Sequence, residues 1–187
     1  MAYASWSVAF GEQPSAAKWN ILGTNDASFN DGTGIANLSM STTALSHPYK
    51  FRAYRSAAWS IAGSTTAKVQ FDAESFDTNS NFDAVTNYRY VAPVAGFYWF
   101  NTFTTLQGIA NSTYVNYLYK NGAQISTGMQ FNQGASNSQV TCGVSSLLQL
   151  SATDYVEVYM FNGNGSAQSG FTGTDVTHFE GFLVSRT

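Results

Sequence analysis

The densest group of acidic residues lies between positions 72 and 77. Asp72, Glu74 and Asp77 carry the oxygen ligands that Ca²⁺ prefers. Asp72 and Glu74 share one face of a predicted strand, whereas Asp77 falls in a predicted turn, and no acidic loop of fixed spacing follows. This spacing favours turn-forming and solvated carboxylates. We therefore expect no metal and no cofactor, with a Ca²⁺ site as the weaker alternative.

The residues that could act as bases or nucleophiles lack the neighbours that catalysis requires. His47 and His178 lie far in sequence from any arrangement typical of a triad or a zinc site. Cys142 shares a strand face with Val140 and Val144, which predicts a buried, unreactive thiol. A glycosidase needs two carboxyl groups about 5 to 9.5 Å apart, and the sequence singles out no such pair. We expect a protein that is not an enzyme, with polysaccharide cleavage as the least favoured alternative.

The composition excludes several other classes of protein. Charged residues make up 10% of the 187 residues and the net charge is −3, which argues against nucleic-acid binding. No apolar run approaches the roughly 18 residues of a membrane span, so no membrane insertion is expected. A secretory signal requires basic residues near its start, and none precedes Lys18. The single cysteine excludes an intrachain disulfide. These features predict assembly in the cytoplasm of a host and release by lysis, as part of a viral particle.

Residues 1–48 differ in pattern from the remainder of the chain. Pro14 and Gly23 are suited to the start and end of a short helix, and a region rich in Ser and Thr follows. Such a segment has too little apolar surface to fold alone, which leaves two readings: a flexible tail, or an arm that docks on a partner. The docking reading rests on four large apolar residues that would otherwise be exposed: Trp19, Ile21, Leu22 and Phe29.

From Lys50 onward the hydrophobic period is two, which predicts strands. Val115, Tyr117 and Tyr119 place apolar or aromatic side chains at every second position, and Asn121-Gly122 follows directly after this stretch. Asn-Gly favours a type I′ turn, so a returning strand is expected through residues 124–125. No convincing helix occurs after residue 50. The sequence predicts an all-β protein, an antiparallel sandwich of roughly eight to ten strands preceded by a short, partly helical arm.

Residues 82–100 resemble the signature of the complement C1q globular-head family, which shares the jelly roll of tumour necrosis factor. The family pattern Pro-x-x-Gly-aromatic-Tyr-x-Phe is matched by Pro93, Gly96, Phe97, Tyr98 and Phe100. Blocks at 51–56, 118–122, 154–159 and 179–184 resemble further strands of the family in the right order. The resemblance covers residues 49–187 and implies a jelly-roll head.

The same resemblance implies a compact homotrimer. An excess of aromatic residues with few charges is what a large apolar subunit interface requires, although a sandwich core alone could also use them. Pro93 cannot donate to a ladder and is expected at a strand edge or corner. The residues expected to form the core and the trimer interface are Tyr88, Tyr90, Pro93, Gly96, Phe97, Tyr98, Trp99, Phe100, Phe179 and Phe182.

Residues 14–32 resemble the opening of many bacteriophage tail-fibre and virion-surface proteins. In those proteins the N-terminus fixes the chain to the particle and the C-terminal domain faces outward. The resemblance implies that residues 1–48 dock on other virion proteins and that residues 49–187 form the outward head.

Two polar loops of the head are candidates for ligand binding, because loops on a rigid sandwich often carry recognition. Their amides lie next to aromatic residues and would suit a saccharide, although ordinary loop chemistry accounts for them equally well. The residues are Asn132, Gln133, Asn137, Asn162, Asn164 and Gln168.

Together these patterns predict a non-enzymatic, homotrimeric virion-surface protein, such as a tail fibre, head fibre or decoration protein. Its expected partners are itself, other virion proteins and a glycan or protein of the host surface. The alternative is a free lectin-like or adhesin module of the same fold.

Overall fold

The computed structural model describes residues 49–187, and the predictions for residues 1–48 lie outside them. Contacts within the chain separate Met1–Ser46 from His47–Thr187. Residues 49–187 contain no helix, and therefore none long and apolar enough to cross a membrane. Their strands are β1 (Lys50–Arg55), β2 (Trp59–Ile61), β3 (Thr65–Lys68), β4 (Ala73–Asp77), β5 (Phe82–Asp83), β6 (Arg89–Val91), β7 (Gly96–Gly108), β8 (Thr113–Lys120), β9 (Ala123–Thr127), β10 (Phe131–Asn132), β11 (Ser138–Leu150), β12 (Tyr155–Asn162), β13 (Gln168–Gly170) and β14 (Gly173–Arg186).

The strands form two antiparallel sheets of seven. In the front sheet, β7 pairs with β11 on one side and with β14 on the other, and β1 and β4 follow β14. Strands β13 and β2 extend the β14 side of the same sheet. In the back sheet, β8 and β12 form the centre, β9 and β10 pair with β8, and β3 and β6 pair with β12, with β5 beyond β6.

The all-β prediction is confirmed, and the strand count differs for a simple reason. Eight strands have five or more residues, which matches the predicted eight to ten. The other six have only two to four residues, which is too short for hydrophobic alternation to be read from sequence. The predicted hairpin is also confirmed, because Asn121 and Gly122 have φ angles of 51° and 80° and join β8 to β9.

The core between the sheets is dominated by aromatic rings. Phe179 on β14 lies with its ring centroid 5.0 Å from that of Phe51 and 5.7 Å from that of Phe100. Tyr90 stacks on Phe51 at 4.6 Å and so joins the back sheet to the front sheet. Alternation places these rings inside because every second residue of each strand faces the partner sheet. The predicted core residues Tyr90, Tyr98, Phe100 and Phe179 are all fully buried.

A polar bridge crosses this core. Asn116 on β8 is fully buried, and its Nδ2 donates to the carbonyl oxygen of Cys142 on β11 at 2.8 Å. Its Oδ1 accepts from the hydroxyl of Thr104 on β7 at 2.5 Å. Both polar ends of the amide are thereby satisfied, which buried amides require, and the bridge fixes the back sheet against the front sheet.

The structure explains two residues of the sequence signature, Pro93 and Gly96. Pro93 lies in the corner between β6 and β7, as predicted. Gly96 begins β7 where a Cβ atom would lie 2.5 Å from the carbonyl oxygen of Ser185 and 2.7 Å from a side-chain carbon of Leu183. The glycine is required by this close approach of β14.

Candidate functional site

The outward surface of the front sheet carries a band of exposed apolar side chains. Pairing across β11, β7 and β14 aligns Leu147, Trp99 and Phe182 in one row, and the ring centroids of Trp99 and Phe182 lie 5.6 Å apart. Leu147 is 58% exposed and Phe182 is 37% exposed. Phe97 and Phe103 extend the band along β7. We call these five residues the apolar face.

A polar row crosses the middle of the apolar face. Arg52 on β1 pairs with Glu180 on β14, with 2.9 Å between Nη1 and Oε2, and Asn101 donates to the other carboxylate oxygen at 3.1 Å. His178 lies in the next row beside Phe103 and is only 6% exposed. Burial and the nearby Arg52 guanidinium lower the pKa of His178, so the ring is neutral at pH 7. The charges of this face are therefore satisfied within one copy.

A groove of about 270 Å³ opens at one side of the apolar face. Its floor forms where the Phe103 ring crosses Gly143, at which a Cβ atom would lie 2.7 Å from the ring. Its wall comes from Met129, in the segment between β9 and β10, and from Phe131 at the start of β10. The remaining lining residues are Asn101, Thr141, Val144 and Ser145.

The predicted core and interface set divides between two environments. The members that alternate inward belong to the core, whereas Phe97, Trp99 and Phe182 point outward from the front sheet. Tyr88 precedes β6 with a positive φ of 50° and is half-buried. The sequence analysis missed Phe103 and Leu147, although Phe103 continues the alternation that begins at Phe97 and Trp99.

The loop amides predicted to bind a ligand make hydrogen bonds within the chain. Asn162 is fully buried and donates to the carbonyl oxygens of Ile61, Ala62 and Ser166. Gln168, which is 6% exposed, donates to Asn164 Oδ1 at 3.1 Å.

The amides of the second loop also make hydrogen bonds within the chain. Gln133 donates to the carbonyl oxygen of Ser136 and to the hydroxyl of Ser138. Asn137 accepts from a backbone nitrogen, whereas Asn132 accepts from the side chains of Thr113 and Gln130. Most of these amides hold the loops in shape, and Asn132 and Asn137 are the exposed members of the set.

The predicted acidic cluster is dispersed into separate contacts. Asp72 accepts from Arg55 at 2.9 Å and from the backbone nitrogen of Ser56 at 2.6 Å, and its pKa is lowered by these partners despite the opposing effect of burial. Asp77 accepts from the backbone nitrogen of Phe82 at 2.7 Å, and Glu74 is exposed. In the described part of the chain, no three His, Cys, Asp or Glu residues are grouped as a metal site would require.

Cys142 is buried, as its strand face predicted. Burial raises the pKa of its thiol to about 12, so the reactive thiolate is scarce at neutral pH.

Residues 49–187 form a two-sheet jelly-roll head, and no other part of these residues covers the apolar face of its front sheet. The C1q domain family matches residues 50–184, and the chain belongs to this family. A search of curated proteins found no match.

Solved structures of the same fold include the globular domain of zebrafish complement 1qA, with 18% identity, 74% of this chain and 99% of that chain covered, and a TM-score of 0.55. Eiger TNF from S. frugiperda has 11% identity, covers 74% of this chain and 94% of that chain, and has a TM-score of 0.55. Murine APRIL has 9% identity, covers 72% of this chain and 98% of that chain, and has a TM-score of 0.54. These structures are similar to this chain in fold.

Proposed function

We propose that this protein is a non-enzymatic recognition module whose head assembles into a homotrimer through the apolar face. The observation that carries the proposal is the row of Leu147, Trp99 and Phe182 on a sheet that no other part of residues 49–187 covers. A contiguous exposed apolar patch of this kind marks a surface of association. The resemblance to the C1q and tumour-necrosis-factor families implies that the assembly is a trimer.

The polar row supports burial of this face in an assembly. Burying an unpaired charge in an interface is costly, whereas Arg52 and Glu180 already form an ion pair within one copy. His178 adds no charge at pH 7, because its pKa is lowered by burial. Two apolar faces can therefore meet without leaving an unpaired charge between them. The groove beside Phe103 offers space for a side chain of a neighbouring copy.

Light scattering of the full chain tests the assembly. We expect a mass of three times 20.2 kDa for the wild type. We expect a monomer for Phe182→Asp, because the new carboxylate would be buried in the interface without a partner. The matched control is Ile125→Asp on β9 of the back sheet, where the parent side chain is 39% exposed against 37% for Phe182. A monomeric wild type, or equal masses for both variants, would contradict the proposal.

We further propose that the head stands on a virion surface and that residues 1–48 dock it through Trp19, Ile21, Leu22 and Phe29. Support comes from the resemblance of residues 14–32 to phage fibre proteins and from the sparsely charged, disulfide-free composition. Host-surface glycans or proteins would then be the partners of the outward head. A chain starting at residue 49 is expected to stay trimeric but to be missing from purified particles that contain the full chain. Absence of the full chain from particles would favour the free lectin-like module instead.

A further inference from the structure

A second surface of the head, on the outside of the back sheet, carries a cluster of tyrosines. Tyr117 and Tyr119 lie on β8, and Tyr155 and Tyr159 lie on β12. Tyr117 pairs directly with Tyr159 in the ladder, and the ring centroids of Tyr119 and Tyr159 are 4.1 Å apart. All four side chains are half-buried. We call them the tyrosine face. It lies on the opposite sheet from the apolar face, so association through the apolar face leaves it open to solvent.

Arg89 on β6 borders the tyrosine face and has an incomplete set of partners. Its guanidinium carbon lies 4.1 Å from the centroid of the Tyr155 ring. Within residues 49–187 the guanidinium forms no ion pair and no hydrogen bond, and its Nε is buried without a partner. The other half-buried arginines differ, because Arg52 pairs with Glu180 and Arg55 pairs with Asp72.

The two carboxylates that adjoin Arg89 in the ladder are engaged elsewhere. Asp83 lies directly opposite Arg89 on β5, but its oxygens accept from the backbone nitrogens of Val85, Thr86 and Asn87. These hydrogen bonds lower the pKa of Asp83 to about 2.

The second carboxylate, Glu157, follows the Val156–Tyr90 pair of the β12–β6 ladder. It is 4% exposed and bonds to Lys68 Nζ at 2.5 Å, and that ammonium also donates to the carbonyl oxygen of Asn87. With both neighbouring carboxylates committed, the Arg89 cation has no counter-charge of its own.

We propose that Arg89 and the tyrosine face bind an acidic saccharide, with the sugar carboxylate on the guanidinium and the sugar hydroxyls on the phenol groups. A guanidinium recognises a carboxylate through charge-assisted hydrogen bonds. The hydroxyls of Tyr117, Tyr119 and Tyr155 make no hydrogen bond within residues 49–187 and are free to pair with sugar hydroxyls. This proposal rests on the proposed recognition function but not on the trimer, because the site lies within one copy.

The chemistry of the face favours this ligand over other anions. Nucleic acid requires several basic groups that neutralise successive phosphates, and here Lys68 is already paired with Glu157. An acidic peptide would satisfy Arg89 but has few hydroxyl groups for the phenols. A neutral saccharide would leave the guanidinium without a counter-charge.

Calorimetric titration of the full chain with trimers of galacturonic acid and of sialic acid tests the proposal. We expect at least one of these two trisaccharides to bind. Its methyl ester should bind at least about tenfold more weakly, because esterification removes the negative charge of the carboxylate. Arg89→Gln should weaken binding of the acid by a similar factor. The matched control is Arg186→Gln, which removes an arginine that also lies near a tyrosine ring, at 5.8 Å from the Tyr49 centroid, but outside this face.

Tyr119→Phe is a second variant, which removes one hydroxyl and keeps the ring. We expect it to weaken binding of the acid, and it serves as the test of the site if Arg89→Gln does not fold. The proposal is overturned if neither acidic trisaccharide binds, or if the ester or a tri-aspartate peptide binds as tightly as the acidic trisaccharide. It is also overturned if both site variants bind the acid like the wild type. The mass of each sample, measured by light scattering, separates the two proposals. A monomer that binds the acid would contradict only the trimer, and a trimer that does not bind it would contradict only this site.

Discussion

Replacing Phe179 by alanine is expected to lower the free energy of unfolding by about 3–5 kcal/mol. The Phe179 ring is fully buried and touches the rings of Phe51, Phe71, Phe82 and Phe100, with centroid distances of 5.0 to 6.1 Å. Truncation removes these contacts and leaves a cavity between two sheets whose backbones are held by long ladders and cannot easily collapse. Urea unfolding of the full chain, followed by tryptophan fluorescence at one fixed protein concentration, measures the change.

The control is the same substitution at an exposed phenylalanine. Phe76 lies on the edge strand β4 and is 46% exposed, so Phe76→Ala should change the free energy of unfolding by less than about 1 kcal/mol. Equal losses for the two variants would show that the aromatic cluster around Phe179 is not the main source of stability in the head.

Asn162→Ala is expected to lower the free energy of unfolding by about 2–3 kcal/mol, because it leaves buried backbone groups without partners. The Asn162 amide is fully buried and donates to three carbonyl oxygens, those of Ile61, Ala62 and Ser166, at 3.1 to 3.2 Å. Its Oδ1 accepts from the backbone nitrogen of Asn164 at 3.0 Å. The side chain thus joins the end of β2 to the loop after β12. Chemical unfolding of the full chain again gives the measurement.

Asn132→Ala is the matched control, because Asn132 has the same side chain but is exposed. It should change stability by less than about 0.5 kcal/mol. If Asn162 served ligand binding rather than structure, Asn162→Ala would have the opposite effect: the stability would be unchanged and ligand binding would be lost. That result would restore Asn162 as a ligand residue of the loop.

The sequence predicts the strands of this head well where local chemistry decides them. Asn121-Gly122 specifies its turn through two positive φ angles, and Pro93 and Gly96 specify a corner and a close approach. In β11 and β12, a run of apolar residues of one parity predicts the buried side correctly, because only that parity can fill the core.

Strand β8 shows where alternation alone is insufficient. Both of its faces carry aromatic residues, and the core receives Tyr114, Asn116 and Leu118, whereas Tyr117 and Tyr119 face outward. The choice depends on partners distant in sequence, since Asn116 is inward because it bonds to Cys142 and Thr104. No property of the strand itself identifies those partners.

The arrangement of the candidate surfaces also depends on pairings between residues that are distant in sequence. Phe97, Trp99 and Phe182 were expected at an interface, and the structure places them together only because β7 and β14 are neighbours. The isolation of Arg89 could not be predicted, since it depends on hydrogen bonds that occupy Asp83 and Glu157. Loop amides such as Asn162 look alike in sequence whether they bind a ligand or hold a loop.

The pairing of the first strand of the head with the last has a consequence for biosynthesis. The β1–β14 ladder aligns Lys50 with Phe182, and among the strands of residues 49–187 only β14 joins β1 to the central strand β7. Sheets built from such distant pairings fold slowly, on a scale of about milliseconds to seconds, because a long loop must close before the contacts form. During synthesis, the edges of β1 and β7 that face β14 stay unpaired until residues 173–186 have emerged from the ribosome. The nascent head is therefore exposed to edge-to-edge aggregation until β14 has paired with both strands.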